Sequence, residues 1–392
     1  MLLTKLIISL SVYYFTRVSC LCEKSFIVSC ETLTDVAFNK SKKTWTELLV
    51  QPNKCVTKVV PKYTLTKDLL FGLYNLDVLI ISNELIEIER NAFTYCKSLQ
   101  NLILYDNKVP VIRKSTFVGF WIMLKVSLEN NHIERIEKGA FVATNINFLD
   151  LSRNKLVVIP ADIFVKNSRL EKLSVAHNKL VFIHIQTLPK NLKQLYLDHN
   201  KLDALPDGLH LLEELKELTI SHNYLSSLPH FEGLRLLEKL DVSFNNINQV
   251  GQFHFDNLTN LKYLDLSGNS LKKFNIPVNF KGEGLQQKLF LAFNRLRYLN
   301  FDGVNSELVL TLAGNPWNCK CLETMEKNIL LSGASVRTVC DLKFGGLGQN
   351  PICVNDGDCS ESEVPEKLFQ KFRSAFQSMD CELFTDLDIF VN

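Results

Sequence analysis

The stretch LEKLSVAHNKL, from Leu170 to Leu180, decides the fold of this chain. Its leucines, its valine and its asparagine stand at relative positions 1, 4, 6, 9 and 11. This spacing differs both from the alternation of an exposed strand and from the three-and-four spacing of an amphipathic helix. It predicts a short strand that is followed at once by a turn.

The same frame recurs along most of the chain. The clearest copies are INFLDLSRNKL at 146–156, LKQLYLDHNKL at 192–202, LKELTISHNYL at 215–225, LEKLDVSFNNI at 237–247 and LKYLDLSGNSL at 261–271. The ninth-position asparagines are Asn107, Asn131, Asn154, Asn178, Asn200, Asn223, Asn245, Asn269, Asn294 and Asn315. They lie 21 to 25 residues apart, and a degenerate eleventh copy carries Glu84 at this position. This period is that of the leucine-rich repeat.

The repeat frame has a physical basis. Positions 4 and 6 of each strand point inward and positions 3, 5 and 7 point outward, so successive strands must stack to bury their apolar side. The asparagine amide can donate and accept, which satisfies backbone groups left unpaired by the turns. Phenylalanines in the second half of the early repeats are expected to fill the convex side: Phe93, Phe117, Phe141 and Phe164. The predicted fold is an α/β leucine-rich-repeat solenoid, a horseshoe with a parallel concave sheet.

The first 20 residues indicate export. Lys5 precedes an apolar run from Leu6 to Phe15, which is too short to span a bilayer, and Val18 and Cys20 suit a cleavage site. No later segment reaches the apolar length of a membrane helix, so a secreted, extracellular protein is predicted. A net charge of +2, with 22% charged residues, gives no reason to expect nucleic acid or an acidic membrane as partner.

The cysteines cluster at the two ends of the repeats. After cleavage ten remain, namely Cys22, Cys30, Cys55 and Cys96 in front and Cys319, Cys321, Cys340, Cys353, Cys359 and Cys381 behind. A repeat stack exposes its core at both ends, so these clusters predict disulfide-stapled caps. Cys96 is expected as the fourth member of the front group, and Cys319 and Cys321 should pair with two of the next three cysteines.

Two alternatives stay open in the rear cluster. A zinc site competes with a disulfide at CKC, although no histidine follows it and no metal or other cofactor is predicted. Cys381 either folds back, to Cys359, or is available to another chain. The even cysteine count favours folding back and a monomer.

The predicted organisation has five parts. They are a signal peptide at 1–20, an N-terminal cap at 21–75, about 11 repeats at 76–318, a cysteine-rich C-terminal cap at 319–360, and a short amphipathic helix with a tail at 361–392. The helix is indicated by apolar spacings of three and four at Val364, Leu368, Phe372, Ala375, Phe376 and Met379. It is too short for a coiled coil, so we expect it to pack on the cap.

The stretch NPWNCKC, Asn315 to Cys321, resembles the C-terminal flanking cap of extracellular leucine-rich-repeat proteins, including the Toll-like receptors and Slit. Secretion and phenylalanine-bearing repeats make the chain most similar to the mosquito leucine-rich-repeat immune proteins. The longer members of that family carry a C-terminal coiled coil, which this chain lacks. The resemblance implies innate immune recognition or complement-like defence, with a complement-like thioester protein or a related leucine-rich-repeat protein as partner.

An enzyme is not predicted. The sequence has no glycine-rich phosphate loop, no G-x-S-x-G and no H-E-x-x-H, whereas repeat folds present extended binding surfaces. A non-enzymatic scaffold that binds a protein ligand is therefore predicted. An extracellular matrix or cell-adhesion protein is the alternative to an immune role.

Three groups of candidate site residues follow from the repeat frame. Outward aromatic residues mark a protein-binding surface at Phe244, Tyr263, Phe290, Phe293 and Tyr196, with Phe290 expected to be exposed in mid-strand. Position 8 carries three histidines in consecutive repeats, which are read either as ordinary turn residues, as a pH-sensitive ladder or as a metal site: His177, His199 and His222. The glycosylation sequons are Asn39 and Asn257, the latter on the convex side.

Overall fold

A computed structural model gives the structure of the protein. It describes residues 63–318, except 84, 119–122, 142–143, 162, 165–168, 206–207, 252–253, 281–286 and 305, together with 320–321, 324–325, 327–328 and 364–377. Outside these ranges it describes only the backbone of five short strands, at 23–24, 27–30, 47–50, 335–336 and 353–354. The chain divides into two compact units, residues 1–201 with 206–215 and residues 202–205 with 216–392.

Unit 1 is built on a mostly parallel sheet. Its strands are β1 (Glu23–Lys24), β2 (Ile27–Cys30), β3 (Glu47–Val50), β4 (Tyr63–Leu65), β5 (Val78–Ile81), β6 (Leu85–Ile88), β7 (Asn101–Ile103), β8 (Val111–Ile112), β9 (Met123–Ser127), β10 (Arg135–Ile136), β11 (Ile146–Asp150), β12 (Lys172–Ser174) and β13 (Gln194–Tyr196). The order is β1-β2-β3-β5-β7-β9-β11-β12-β13, with only β1 antiparallel to its neighbour. Two outer pairs, β4 with β6 and β8 with β10, are also parallel. The sheet thus begins within the segment assigned to the N-terminal cap.

Unit 2 continues the same repeat design. Its strands are β14 (Glu217–Thr219), β15 (Lys239–Asp241), β16 (Tyr263–Asp265), β17 (Lys288–Phe290), β18 (Val309–Thr311), β19 (Trp317–Asn318), β20 (Ser335–Val336) and β21 (Cys353–Val354). The parallel order is β14-β15-β16-β17-β18-β20, and β19 pairs with β21. Short 3-10 turns on the outer side lie at Ile185–Thr187 and Leu209–Leu211 in unit 1 and at Val278–Phe280 in unit 2. Both units confirm the predicted parallel leucine-rich-repeat fold.

The core follows the repeat frame. In β12, Leu173 is fully buried between two half-buried neighbours, and the same alternation recurs in β13 and β15. On the outer side the predicted phenylalanines stack in sequence, with ring centroids 5.8 Å apart for Phe93 and Phe117 and 5.0 Å for Phe117 and Phe141. All four are buried, as predicted for residues that fill the outer half of the repeats.

The asparagine ladder forms as the sequence predicts. The Asn178 side chain accepts a hydrogen bond from the backbone N–H of Leu156 at 3.0 Å and donates to the carbonyls of Leu151 and Val175 at 2.9 and 3.0 Å. The equivalent bonds recur at Asn131, Asn154, Asn200, Asn245, Asn269, Asn294 and Asn315. Each amide therefore links its own turn to the preceding repeat, which satisfies buried backbone groups that water cannot reach.

Position 8 of the repeats adopts the left-handed backbone region, because the chain reverses there into its turn. Its φ values lie between 49° and 69° in eleven successive repeats, from Asn83 to Gly314. Asparagine, aspartate, histidine and glycine tolerate this region better than other residues. The histidines at this position are thus explained by backbone geometry, and the exceptions are Arg153, Phe244 and Phe293.

The C-terminal helix, Glu366–Gln377, packs within unit 2. Phe369 and Phe372 lie against Ala313 and Phe293, which belong to the last two repeats. Arg295 lies 4.5 Å from the centre of the Phe369 ring and forms an ion pair with the first turn of the helix. The amphipathic helix was predicted, and its described contacts are to the last two repeats. Packing on the cap stays a prediction, because most of the cap lies outside the described residues.

Candidate binding surface on the sheet

The outward residues at positions 3, 5 and 7 of the strands form one side of the sheet in each unit, which we call the strand face. In unit 1 its most distinctive feature is a stack of alternating cations and rings at positions 3 and 5. The Lys125 and Lys172 ammonium groups lie 5.1 and 5.0 Å from the centre of the Phe148 ring, and Lys172 lies 4.9 Å from the ring of Tyr196. We call these four residues the basic ladder.

The strand register builds the basic ladder. Phe148 pairs with Lys125 on one side and with Lys172 on the other, and Tyr196 pairs with Ser174 one strand further. Neighbouring parallel strands lie about 4.8 Å apart, so position-3 side chains of adjacent repeats meet. A cation over an aromatic ring is attracted by the negative ring face, which holds the lysines in place. All four side chains remain half-buried and accessible.

Acidic side chains border the basic ladder on the same face. Asp150 accepts hydrogen bonds from the backbone N–H and the hydroxyl of Ser152 at 2.9 and 2.6 Å. Partial burial and then the charge of Asp150 raise the pKa of Glu129, which also lies 3.5 Å from the guanidinium of Arg153. On the strand face of unit 1, the lysines therefore stand at position 3, whereas the acidic groups stand at positions 5 and 7.

Unit 2 carries a different arrangement. Lys239 lies 5.3 Å from the Tyr263 ring, but its ammonium group is also 2.8 Å from the carboxylate of Glu217. Asp265 is fully buried, and burial together with the charge of Asp241 raises its pKa well above the usual range. Burial, more than these carboxylates, also raises the pKa of Tyr263. On the strand face of unit 2, the charge of Lys239 is therefore balanced by a carboxylate of the same face.

The aromatic candidates in unit 2 take part in packing. Phe290 is buried with 6% exposure and packs 5.0 Å from Tyr263, so the prediction that it is exposed is wrong. Its strand neighbours, Asp265 on one side and Thr311 on the other, enclose it. Phe293 packs against the C-terminal helix of its own chain.

Glycines make room for the two position-8 phenylalanines. A Cβ placed on Gly268 would come within 2.6 Å of the Phe244 ring, and one on Gly314 within 2.5 Å of the Phe293 ring. Both rings therefore cover the backbone of the next repeat. Of the predicted aromatic surface, Tyr196 in unit 1 belongs to the basic ladder.

The histidines divide between the units. In unit 1 the rings of His177 and His199 stack at 4.1 Å with 12° between their planes, and in unit 2 the ring of His222 stacks on Phe244 at 4.4 Å. Burial lowers the pKa of His199, against an opposing effect from Asp198. A pH-sensitive response stays a prediction. Among the residues described, no three His, Cys, Asp or Glu side chains are placed to hold a metal ion.

The cysteine predictions are only partly covered by the described residues. Cys96 is a free, buried thiol whose pKa burial raises to about 12, so its predicted place in a disulfide is wrong. It occupies the outer-turn position that Leu234 and Leu258 fill in later repeats, where it acts as a small apolar residue. Cys321 is buried and disulfide-bonded. The other predicted disulfide side chains lie outside the described residues: Cys22, Cys30, Cys55, Cys319, Cys340, Cys353, Cys359 and Cys381.

Of the two glycosylation sequons, Asn257 is exposed on an outer turn of unit 2, away from its strand, and Asn39 lies outside the described residues. No helix in the described part of the chain has both the length and the apolar character needed to cross a membrane.

Family models place the chain among known proteins. The model described as "Leucine rich repeat" matches residues 190–247 and 235–296, and the "BspA type Leucine rich repeat region" matches residues 65–186. The chain belongs to the leucine-rich-repeat proteins.

Curated relatives share the repeats. The chain is 32% identical to human lumican over 207 residues, which cover 46% of this chain and 60% of lumican, and 35% identical to human biglycan over 205 residues, which cover 50% and 54%. It thus spans little more than half the length of these two relatives. Rabbit lumican, 32% identical over 173 residues, is covered over 88% of its sequence.

Solved structures share the fold. The leucine-rich-repeat domain of APL1B aligns with a TM-score of 0.59 at 20% identity, covering 86% of this chain and 89% of that domain. A chain of the Drosophila Toll–Spatzle complex aligns with a TM-score of 0.55 at 16% identity, covering 84% and 53%. At these identities the likeness shows the fold alone.

The basic ladder was missed by reasoning from the sequence. Its signal was present, because Lys125, Phe148 and Lys172 occupy position 3 of three consecutive repeats. The sequence prediction did not include Phe148, because most of the outward aromatic residues lie in the C-terminal repeats.

Proposed function

We propose that this chain is a secreted, non-enzymatic scaffold that binds a protein ligand through the strand face of unit 1. The observation that carries the proposal is the basic ladder, in which Lys125, Phe148, Lys172 and Tyr196 stand half-exposed on a rigid parallel sheet. Aromatic residues next to cations are frequent among the residues that dominate binding energy. Ordered strands hold them in place, so little conformational entropy is lost when a ligand binds.

A role in innate immune recognition is the first candidate for this scaffold. The fold likeness to the APL1B repeat domain and to the Toll–Spatzle complex, a hub in Drosophila development and innate immunity, supports it. We propose a protein of complement-like defence or a related leucine-rich-repeat protein as ligand. This role predicts that expression of the gene rises on infection.

A matrix or adhesion role is the second candidate. The identities of 32% to human lumican and 35% to human biglycan favour it, since both exceed the 20% identity to APL1B. It predicts constant expression in connective tissue and retention of the protein in a detergent-insoluble matrix fraction.

Photo-crosslinking tests the proposed binding face. A benzoylphenylalanine replaces Phe148 in one protein and Phe182, which is 43% exposed in unit 1 but outside the strand face, in a matched control. After irradiation in extracellular fluid of the source organism, we expect a discrete protein adduct from position 148 and not from position 182. Equal adducts from both positions, or none from position 148, would contradict the proposal.

A further inference from the structure

Three described lysines at position 3 lie over an aromatic ring. They differ in whether a carboxylate lies close to the ammonium group. In unit 2, Lys239 has Glu217 at 2.8 Å. In unit 1, neither Lys125 nor Lys172 has a hydrogen bond or an ion pair within 4 Å in the part of the chain that the structure describes. Their described contacts are to rings, and Glu129 attracts the Lys125 charge from beyond ion-pair distance. The same structural position is thus neutralised in one unit and left positive in the other.

From this difference we infer that the basic ladder binds an extended acidic segment of a protein ligand. The inference rests on the proposed function and names the chemistry of the partner. Lys125 and Lys172 stand two strands apart, on either side of Phe148, which places their backbones roughly 10 Å from each other. Alternate side chains of an extended peptide repeat about every 7 Å on one side, so two carboxylates can reach both ammonium groups across the ring.

Three properties of the basic ladder favour binding of an acidic segment. Two ammonium groups that flank one ring repel each other, and carboxylates bound to them relieve this repulsion. The ring contacts already restrict both lysine side chains, so part of the ordering cost of binding is met before the ligand arrives. Half-burial also lowers solvent screening of the charges, which strengthens a charge-assisted hydrogen bond to a carboxylate.

The acidic neighbours fix where the segment lies. Asp150 is two residues beyond Phe148 along the strand, which separates their backbones by about 7 Å. Glu129 is four residues beyond Lys125, past the end of β9, and is near enough for the two charges to interact. Both would repel a carboxylate. The acidic segment therefore lies along the position-3 edge of the strand face and not over its centre.

Fluorescence anisotropy with defined peptides tests the inference on the full-length secreted protein. The probe is a fluorescein-labelled peptide of alternating glutamate and glycine, and the control probe has glutamine in place of glutamate. The glutamate peptide should bind, should weaken as salt is raised, and should lose at least about tenfold in affinity with Lys125→Gln and Lys172→Gln combined. Lys239→Gln is the matched control, because it removes a lysine of the same position and ring contact whose charge Glu217 already balances.

A second variant changes binding in the opposite direction. Asp150→Asn keeps an acceptor for the Ser152 hydrogen bonds but removes a repelling charge, so it should tighten binding of the glutamate peptide by about two- to fivefold. The affinity of Asp150→Asn for the glutamate peptide still tests the inference if the double lysine variant has a lower melting temperature. Unchanged or weaker binding by Asp150→Asn would overturn the inference, as would equal losses for Lys239→Gln and the double variant.

Other outcomes identify a different partner. Equal binding of the glutamate and glutamine peptides, or binding of heparin with no binding of the glutamate peptide, would overturn the acidic-segment inference. If the glutamate peptide does not bind but position 148 still gives a protein adduct, the inference fails while the proposed scaffold function stands. Failure of both tests counts against the scaffold function as well.

Discussion

Replacement of Asn178 by alanine tests whether the asparagine ladder holds the repeats together. The variant leaves the buried N–H of Leu156 without the acceptor it has at 3.0 Å. Asn178 also donates to the carbonyls of Leu151, Val175 and Ala176, and each of these keeps another donor. Asn154 reaches the Leu151 oxygen at 3.0 Å, Asn200 reaches the Val175 oxygen at 3.0 Å, and the backbone N–H of Arg153 reaches the Ala176 oxygen at 2.9 Å. One buried donor without a partner costs about 1 to 3 kcal/mol, so we expect the free energy of unfolding to fall by about 2 kcal/mol.

Urea denaturation followed by circular dichroism measures this loss. Asn178→Asp should cost more, about 3 to 5 kcal/mol, because it keeps the acceptor but loses both donors and buries a carboxylate against carbonyl oxygens. Asn260→Ala is the control, since its side chain donates to the carbonyl of Arg235 at 2.7 Å on the exposed surface. A cost below about 0.5 kcal/mol for Asn178→Ala, or one equal to the control, would refute the ladder as a source of stability.

Three further predictions follow from contacts in the described units. Gly268→Ala should lower the melting temperature more than Gly303→Ala, because both glycines have positive φ, at 67° and 73°, but only Gly268 lies against a phenylalanine ring; equal effects would show that the ring does not restrict the site. Burial lowers the pKa of His199 and His254 below the unfolded value of about 6.5, so their neutral forms are favoured on folding and stability should fall as pH drops below about 6.5. Melting curves from pH 7.5 to 5.5 check this, and His199→Asn with His254→Gln should flatten the decline. Asp265→Asn should raise the free energy of unfolding at pH 7 by about 1 to 2 kcal/mol, and by less near pH 4, because its raised pKa disfavours the folded state as pH rises; a loss of stability at pH 7 would contradict this.

Residues that act within one repeat were predictable from the sequence. The inward direction of Leu173, the turn role of Asn178 and the burial of Phe117 in the outer half of its repeat all follow from the position of each residue in its own frame. The reason is that every repeat solves the same problem of burying one side of a strand and closing one turn. Cys96 could have been placed in the same way, because it occupies a leucine position of the outer turn.

Contacts between repeats were decided by the tertiary structure. Phe290 and Phe148 are both outward aromatic residues, yet Phe290 is buried beside Tyr263 whereas Phe148 stays half-exposed between two lysines. Lys239 and Lys172 share position 3 and a ring contact, but among the described residues only Lys239 has a carboxylate within ion-pair distance. Such differences depend on which side chains the parallel register places about 4.8 Å apart, from residues more than 20 positions distant in the chain, and on how those side chains fill the space between strands. The periodic pattern determined the fold by itself, while the charge balance of its binding face was settled only when neighbouring repeats were stacked.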